Sequence, residues 1–469
     1  MPDNLIKRYL TDIGEIHRTG AHVAETSFYP PLEQLLTEIG KTLSPKVRCV
    51  INLANRGAGL PDGGLFSADQ FRRKAHDADA KTNPFLVQNP SRGVIEAKAP
   101  AADVLKIAET EQVERYWKRY GMVLVTNFRA FALIGKGATG QPCILESFTL
   151  AESEADFWRY TAHPHLAAEQ GERLLEYLKR VVLHNAPLAA PQDVASILAS
   201  YAHDARLRIK AADIPALTGL RQALEEALGL HFEGEKGEHF FRSTLIQTLF
   251  YGVFSAWVLW ARQRDAKTAG KTGFAEALHE AADPYRITGH FDWRSAHWLL
   301  RVPMLRALFV QVADPGRLGA LGLIEVLDWT AAALNRVDRA AFFQSFDEGH
   351  AVQYFYEPFL QAFDPELRKE LGVWYTPEEI VRYQVERADR VLRSELGLAD
   401  GLADPHVVVL DPCCGTGAYL RAVLRRIAAT LHDKGGDALV AHDLKRAAME
   451  RIFGFEILPA PFVIAHLQI

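Results

Sequence analysis

Two acidic residues and a lysine in the first hundred residues have the types and spacing needed for metal-dependent chemistry. The segment Gly93-Val-Ile-Glu-Ala-Lys98 reads as a β-strand, on which Glu96 and Lys98 are two residues apart and face the same side. If Asp62 enters from a neighbouring strand, two carboxylates and one ammonium group converge. Oxygen ligands of this kind hold Mg²⁺ against a scissile phosphate, and a nearby cation favours hydroxide as the attacking species. The pattern therefore predicts metal-dependent phosphodiester hydrolysis.

The elements around these residues predict an α/β domain over residues 1–145. We expect a helix at 29–40, strands at 48–52, 93–98 and 122–127, a glycine-rich hairpin at 57–64 and a helical stretch at 102–120. The order helix, strands, Asp62, Glu-x-Lys, helix, strand resembles the αβββαβ core of the PD-(D/E)xK nuclease superfamily. That resemblance implies a nuclease domain that uses Mg²⁺.

The same resemblance implies roles for further residues. Gln112 and Tyr116 have the Gln-x-x-x-Tyr spacing of RecB-type members, and Glu25 precedes the first helix of that core, where many such nucleases place an additional acidic ligand. The implied metal ligands are Asp62, Glu96 and Glu25. The implied catalytic residues are Asp62, Glu96, Lys98 and Gln112.

Alternative interpretations of these residues remain open. Glu96 and Lys98 also fit a solvated salt-bridge face of an inert α/β domain. A glutamate at a helix start, such as Glu25, often only complements the helix dipole. Gln112 and Tyr116, one helical turn apart, also fit ordinary packing.

A second site is predicted in residues 406–420. An apolar strand there runs into an acidic, glycine-rich turn and then a helix, with Asp411 at the strand tip and Gly415 and Gly417 in the turn. In a doubly wound α/β domain the first strand delivers its ligand-binding loop at this end, where glycines let the backbone approach the ligand. The turn has neither the dinucleotide fingerprint nor the Gly-Lys-Ser/Thr of a phosphate loop.

This turn resembles the S-adenosylmethionine loop of amino-methylating DNA methyltransferases, Asp-Pro-x-Cys-Gly-Thr-Gly-x-Phe/Tyr-Leu. Residues 372–381 resemble the Gly-Val-Tyr-Tyr-Thr-Pro segment of adenine-N6 enzymes, and 452–461 resemble the second strand, whose acidic residue bonds the ribose hydroxyls. An isolated Asp-Pro-x-x-Gly-x-Gly also fits a surface turn, but here three segments occur in the family's order. The resemblance implies that S-adenosylmethionine is bound by Tyr375, Thr376, Pro377, Asp411, Pro412, Gly415, Gly417 and Glu456.

The catalytic turn of that family has no counterpart here. The family uses Asn/Asp-Pro-Pro-Tyr/Phe, whose polar groups bond the target amine while the aromatic ring stacks on a flipped-out base. Asn83-Pro-Phe85 lacks the second proline. Because the turn follows the second strand in the family, we expect residues 366–469 to be the beginning of a Rossmann-like methyltransferase domain in a longer protein.

Residues 146–365 have helical periodicity and predict an all-α connector between the two α/β domains. Residues 245–256 and 355–377 resemble the connector of single-chain restriction-modification enzymes. Ala269-Gly-Lys-Thr272 is no phosphate loop, because Asp265 stands at the position of the first glycine and no strand precedes it. This favours the Type IIG and IIL arrangement over the Type ISP enzymes, which insert a helicase-like ATPase. The spacer and the Tyr-Thr-Pro context nevertheless also resemble the ISP group and the large methyltransferases of phage-defence systems.

Composition predicts a cytoplasmic protein without a membrane segment. The formal net charge of −5 gives no global attraction to nucleic acid, so DNA contacts must come from local basic clusters such as residues 72–74. The four cysteines show no zinc-type pairing. The N-terminus has no apolar signal core, and the most apolar stretch, 249–260, is too short to span a bilayer.

The combined expectation is a fragment of a bifunctional enzyme. It would methylate adenine-N6 in double-stranded host DNA with S-adenosylmethionine and cut unmodified DNA with Mg²⁺. The alternative is an adenine-specific methyltransferase of a phage-defence system, in which the N-terminal domain binds DNA or partner subunits without cutting. A methyltransferase that acts on RNA or protein is a third reading.

Overall fold

The computed structural model divides the chain into two compact units, Met1–Pro187 and Leu188–Ile469, which we describe separately. The residues it describes are 3–53, 59–72, 89–137, 140–186, 188–211, 215–228, 231–268, 289–300, 303–346, 355–370, 376–435, 440–456, 461–462 and 465. The expected domain limits at 145 and 366 do not coincide with this division and stay predictions.

A six-stranded sheet organises the first unit. Its strands are β1 (Val47–Ile51), β2 (Gly63–Ser67), β3 (Val94–Ala97), β4 (Val123–Thr126), β5 (Ala130–Lys136) and β6 (Pro142–Thr149). They lie in sequence order across the sheet. Within the described part of this sheet, β3 and β4 are parallel, as expected for strands that are joined by a helical crossover, and the other neighbours are antiparallel.

Helices cover both faces of this sheet. They are α1 (Asp3–Arg18), α2 (Tyr29–Thr42), α3 (Ala68–Arg72), α4 (Val104–Ala108), α5 (Glu111–Tyr120), α6 (Glu154–Ala162) and α7 (Ala168–Leu183). One core joins α1, α2 and α7 to the face that carries Ile95 and Ala97. A smaller core joins α4 and α5 to the face that carries Val94 and Val125. The alternation along β3 places neighbouring residues on opposite faces.

The expected order of helices and strands agrees with these elements, with local differences. Gly63 and Gly64 belong to β2 rather than to a hairpin turn, and residues 57 and 58 of the expected hairpin lie outside the described residues. The helical stretch at 102–120 is two helices, because Thr110 begins a new one by accepting a hydrogen bond from the Val113 N–H. Strand β6 has no counterpart among the expected strands.

Helices build the first part of the second unit. They are α8 (Pro191–Ala211), α9 (Pro215–Leu228), α10 (Gly234–Thr268), α11 (Ala296–Leu299), α12 (Pro303–Val312), α13 (Pro315–Ala320), α14 (Leu323–Leu334), α15 (Arg339–Ser345), α16 (Glu357–Phe363) and α17 (Pro365–Glu370). A single apolar core joins α8 to α16.

Helix α10 corrects the expectation that the apolar stretch at 249–260 is too short to span a bilayer. By length and composition, Gly234–Arg264 could cross a membrane, but 94% of its most apolar window is buried inside the protein. Burial of this kind is typical of a core helix, because a helix that is apolar all round must be covered. The expected absence of a membrane segment stays a prediction.

The last part of the second unit contains α18 (Glu378–Ser394), β7 (Val409–Asp411), α19 (Ala418–Asp433), α20 (Val440–Glu450) and β8 (Ile452–Gly454). Strands β7 and β8 pair in parallel. An apolar cluster joins α18 to α19 and α20. Val408, Leu410, Phe453 and Phe455 remain exposed.

Candidate functional site

Asp62 and Glu96 are brought together by the pairing of β2 with β3. The Ala97 N–H donates to Asp62 Oδ2 (2.8 Å), and the Asp62 N–H donates to the Ile95 carbonyl (3.1 Å). Both bonds fix the residue before β2 against β3. The carboxylate of Asp62 is therefore held beside the strand that carries Glu96.

Glu96 is the centre of a group that we call the carboxylate cluster, made of Glu25, Asp62, Glu96, Lys98 and Gln112. Its Oε1 accepts from Lys98 Nζ (2.5 Å) and from Gln112 Nε2 (3.0 Å). Its Oε2 is buried without a hydrogen-bond partner, and the side chain is only 2% exposed. An unpartnered buried carboxylate oxygen is costly, and a bound cation would satisfy it.

The burial of Glu96 changes its protonation. Desolvation raises its pKa to about 7, against the opposing effect of the Lys98 ammonium group, and the charges of Asp62 and Glu25 add to the rise. Burial lowers the pKa of Lys98, but the nearby carboxylates, above all Glu96, raise it by more than burial lowers it. The pKa of Lys98 is therefore above its ordinary value. Lys98 therefore stays a cation at neutral pH while Glu96 titrates.

Helix α5 delivers Gln112 to the cluster. The Gln112 side chain donates both to Glu96 Oε1 and to the Tyr116 hydroxyl (3.0 Å). Tyr116 is buried, and its ring lies 3.3 Å from where a Cβ on Gly59 would be, with Gly59 at φ +113°. A larger residue at 59 would be strained and would press on the tyrosine. The contacts of Gln112 and Tyr116 thus include polar bonds to the cluster as well as packing.

Glu25 reaches the same cluster from the segment before α2. Its Oε1 lies 3.7 Å from Lys98 Nζ and accepts a hydrogen bond from the Tyr29 hydroxyl (2.9 Å). Tyr29 is not among the site residues predicted from the sequence. The only signal available was the spacing of four residues between Glu25 and Tyr29, which places side chains on one helical face.

The cluster as it stands is ion-paired. Among the described ranges, no three His, Cys, Asp or Glu side chains are arranged to hold a metal ion. Lys98 Nζ contacts both Glu96 and Glu25. The donor set of carboxylate oxygens nevertheless suits a hard divalent cation, and Glu96 Oε2 has a free coordination position.

The second candidate site is the glycine loop, residues 411–417. Gly415 and Gly417 adopt φ +55° and +85°, and Gly417 precedes the first residue of α19. The Phe455 N–H donates to the Asp411 carbonyl and the Cys414 N–H donates to the Phe455 carbonyl, both at 2.9 Å. Backbone bonds therefore tie the loop to the chain after β8.

Glu456 is joined to this loop directly. The Gly415 N–H donates to Glu456 Oε2 at 2.9 Å. A Cβ placed on Gly415 would meet no atom within 4 Å, so the loop has an open side there. The open backbone, the Asp411 carboxylate and the Glu456 carboxylate are groups that suit an amino-acid and ribose-bearing cofactor.

The remaining expected cofactor residues are less completely placed. Tyr375 lies outside the described residues, whereas Thr376 and Pro377 lead into α18. Glu378, the first residue of α18, lies 3.8 Å from Arg421 and 3.5 Å from Arg425 of α19. These pairs hold the start of α18 beside the helix that follows the glycine loop.

A cavity of about 850 Å³ opens between α18, β7 and α19. Asp411 and Pro412 line it, but Thr376, Gly415 and Glu456 do not. The volume is within the range of small-molecule sites. The cavity therefore meets only part of the expected cofactor site.

Tyr356 is a second residue that sequence reasoning missed. It is buried in the helical core, and burial together with the charge of Glu456 raises its pKa. Nothing in its sequence context distinguished it from a core aromatic. It places an uncharged hydroxyl within electrostatic reach of the glycine loop's acidic partner.

Comparison with known proteins concerns the part of the chain that carries the second candidate site. Residues 348–469 match the family model described as N-6 DNA Methylase. This segment contains the glycine loop and Glu456, so the part of the chain that carries the second site is similar to N-6 DNA methylases. No curated protein matches the chain.

Three solved structures show weaker similarity. A DrdV–DNA complex is 19% identical (TM-score 0.37), and the alignment covers 99% of this chain and 38% of DrdV. The DNA-bound ATP-dependent Type ISP restriction-modification enzyme LlaBIII is 19% identical (TM-score 0.36; 66% and 18% covered). A nuclease-deletion mutant of the Type ISP enzyme LlaGI, in complex with a DNA substrate mimic, is 16% identical (TM-score 0.32; 67% and 23% covered). The chain thus spans less than two-fifths of DrdV, and TM-scores this low assign neither fold nor function.

Proposed function

We propose that this chain belongs to a restriction-modification enzyme that joins an adenine-N6 DNA methyltransferase to a Mg²⁺-dependent DNA-cleaving unit. The observation that carries the cleavage half is the buried Glu96, with one oxygen bonded to Lys98 and Gln112 and the other without a partner. The match of residues 348–469 to N-6 DNA Methylase supports the methyltransferase half.

In the cleaving unit, Asp62, Glu96 and Glu25 would hold Mg²⁺. The ion would supply charge neutralisation at the scissile phosphate and a more acidic bound water. Lys98 would orient the attacking water and stabilise the charge that develops on the phosphate, because its ammonium group lies beside both glutamates. Gln112 would keep Glu96 Oε1 engaged so that Oε2 faces the cation.

In the methyltransferase segment, Asp411, Gly415, Gly417 and Glu456 would surround S-adenosylmethionine. That cofactor would supply the methyl group for the exocyclic amine of adenine. The open side of Gly415 would let the backbone approach the cofactor, and Glu456 would exchange its bond from the Gly415 N–H for bonds from the ribose hydroxyls. Thr376 and Pro377, held before α18, would close the methionine side.

A plasmid-nicking assay tests the cleaving unit. The purified 469-residue chain should nick supercoiled DNA in Mg²⁺, and Lys98→Ala should reduce the rate at least about a hundredfold, the usual effect of losing one electrostatic catalytic group. Lys106→Ala is the matched control, since Lys106 is an exposed lysine of the same unit. Equal nicking by wild type and Lys98→Ala would defeat the assignment.

The competing function is a methyltransferase whose N-terminal unit binds DNA or partner subunits without cutting. The ion-paired state of the cluster favours this reading to the extent that Lys98 already neutralises Glu96 and Glu25. The two readings separate in one experiment. A non-cutting module would bind DNA with the same affinity in EDTA and in Mg²⁺ and would show no nicking in either.

A further inference from the structure

We propose that Tyr29 is a positioning residue of the Mg²⁺ site, whose hydroxyl holds Glu25 in the carboxylate cluster. This inference rests on the proposed function of the cluster. It adds a residue that neither the spacing of the acidic residues nor the nuclease resemblance points to.

The contacts of Tyr29 place its hydroxyl inside the cluster. The side chain is buried, with the residue 4% exposed, in the core between α2 and the sheet. Its hydroxyl donates to Glu25 Oε1 at 2.9 Å, and the same oxygen lies 3.7 Å from Lys98 Nζ. Glu25 Oε1 is thus shared between a neutral donor and a cation.

Asp62 is also close enough to Tyr29 to affect the protonation of its hydroxyl. Burial, followed by the negative charges of Asp62 and Glu25, raises the pKa of Tyr29 above its ordinary range. The hydroxyl therefore keeps its proton at any pH at which the enzyme would work. A neutral donor to Glu25 stabilises that carboxylate without adding a charge to the cluster.

Tyr29 has a counterpart across the sheet. A chain of polar contacts runs from Tyr29 through Glu25, Lys98, Glu96 and Gln112 to Tyr116. Tyr29 belongs to the core on one face of the sheet and Tyr116 to the core on the other. This series of contacts ends at a buried tyrosine hydroxyl on each side. The Tyr29 hydroxyl bonds Glu25, which contacts Lys98, and the Tyr116 hydroxyl bonds Gln112, which contacts Glu96.

Loss of the Tyr29 hydroxyl should weaken cation binding specifically. Without that donor, Glu25 Oε1 would turn toward Lys98, the nearest remaining donor, and the ion pair would tighten. A divalent cation would then compete against a stronger internal cation. The concentration of Mg²⁺ for half-maximal nicking should rise, while the rate at saturating Mg²⁺ changes little because Lys98 and Glu96 are intact.

The test uses Tyr29→Phe, which keeps the ring and removes only the hydroxyl. Tyr9→Phe is the matched control, because Tyr9 is a buried tyrosine of the same unit whose hydroxyl donates to the Phe128 carbonyl (2.8 Å). Calorimetric titration with Mn²⁺ should show affinity about tenfold weaker in Tyr29→Phe, the usual effect of losing an outer hydrogen bond to a metal ligand, and unchanged in Tyr9→Phe. Both variants should melt at similar temperatures.

A double variant excludes a general packing effect. If Tyr29 acts through Glu25, Tyr29→Phe combined with Glu25→Gln should bind Mn²⁺ no more weakly than Glu25→Gln alone. Additive losses, or equal Mn²⁺ affinity of wild type and Tyr29→Phe, would overturn the inference and leave the proposed cleavage function standing. Absence of Mn²⁺ binding in the wild type would instead overturn both.

Discussion

The carboxylate cluster of the first unit and the glycine loop of the second unit are held in place by different kinds of interaction. Side chains hold the cluster: Glu96 Oε1 bonds Lys98 and Gln112, and Glu25 bonds Tyr29. Backbone groups hold the loop, through the pairing of residues 411–414 with Phe455. The cluster has a titratable centre, whereas the loop has a defined backbone shape.

This difference determines what each site responds to. A site built from coupled charged side chains changes with pH, because one proton on Glu96 alters every contact in the chain of polar bonds. A site built from backbone amides and glycines changes when a side chain enters the space beside it. Solution conditions should therefore affect the first site most, and substitution of glycine should affect the second.

The largest expected effect is the pH dependence of cation binding to the carboxylate cluster. Burial raises the pKa of Glu96 to about 7, and only the ionised form binds a cation well. The apparent Mn²⁺ affinity should fall by up to about tenfold for each pH unit below 7 and level off above it. Calorimetric titrations at pH 5, 6, 7 and 8 measure this, and S-adenosylmethionine binding to the same samples serves as the reference. A flat Mn²⁺ profile would show that Glu96 is not the controlling group.

The raised pKa of Glu96 also makes the stability of the folded chain depend on pH. Because the folded-state pKa lies above the ordinary value of 4.5, the folded chain binds the proton more tightly than the unfolded chain between pH 4.5 and 7. The contribution of Glu96 to stability is complete below pH 4.5 and is lost as pH rises through 7. Without divalent cations, the melting temperature of wild type should fall as the pH rises through 7, and that of Glu96→Gln should not. Above pH 7, Mg²⁺ should restore the stability of wild type only.

The glycine loop should respond to added volume instead. Gly415→Ala should weaken S-adenosylmethionine binding about tenfold, equivalent to about 1.4 kcal/mol, because a Cβ would enter the open side of the loop. Gly435→Ala is the matched control: it also has positive φ (+78°) and no atom within 4 Å of the added Cβ, but it follows α19. Calorimetry on both variants separates occupancy of the cofactor space from backbone strain. Equal losses of S-adenosylmethionine affinity in the two variants would contradict a cofactor site beside Gly415.

How far the sequence predicted each site depends on whether the residues of that site are close together along the chain. The glycine loop lies within one continuous segment, since the strand, the turn and the helix follow one another at 409–433. Among the residues described for this site, Glu456 comes from a separate segment. The carboxylate cluster is assembled by strand pairing. Alternation along β3 correctly placed Glu96 beside Lys98, but no local pattern shows that Glu96 Oε2 is left without a partner.

Features that depend on tertiary packing could not be predicted. The spacing of four residues between Glu25 and Tyr29 did not single out Tyr29, because such pairs are common on helix surfaces. Strand β6 was not predicted because only two of its residues, Glu146 and Phe148, are buried. The buried glutamate interrupts the apolar alternation that would mark a strand. Helix α10 extends well beyond the most apolar stretch at 249–260, because the helix continues through the polar residues at its two ends.

The smallest expected effect concerns the helix that links the cluster to the protein core. Thr110 caps α5 through a bond from the Val113 N–H, and Ser153 caps α6 in the same unit through a bond from the Asp156 N–H. Each substitution by alanine should cost about 1 kcal/mol of stability. Only Thr110→Ala loosens the first turn that carries Gln112, so it alone should raise the Mg²⁺ concentration for half-maximal nicking, by about twofold to threefold. Equal Mg²⁺ dependence of the two variants, at equal loss of melting temperature, would mean that Glu96 is held by Lys98 without help from α5.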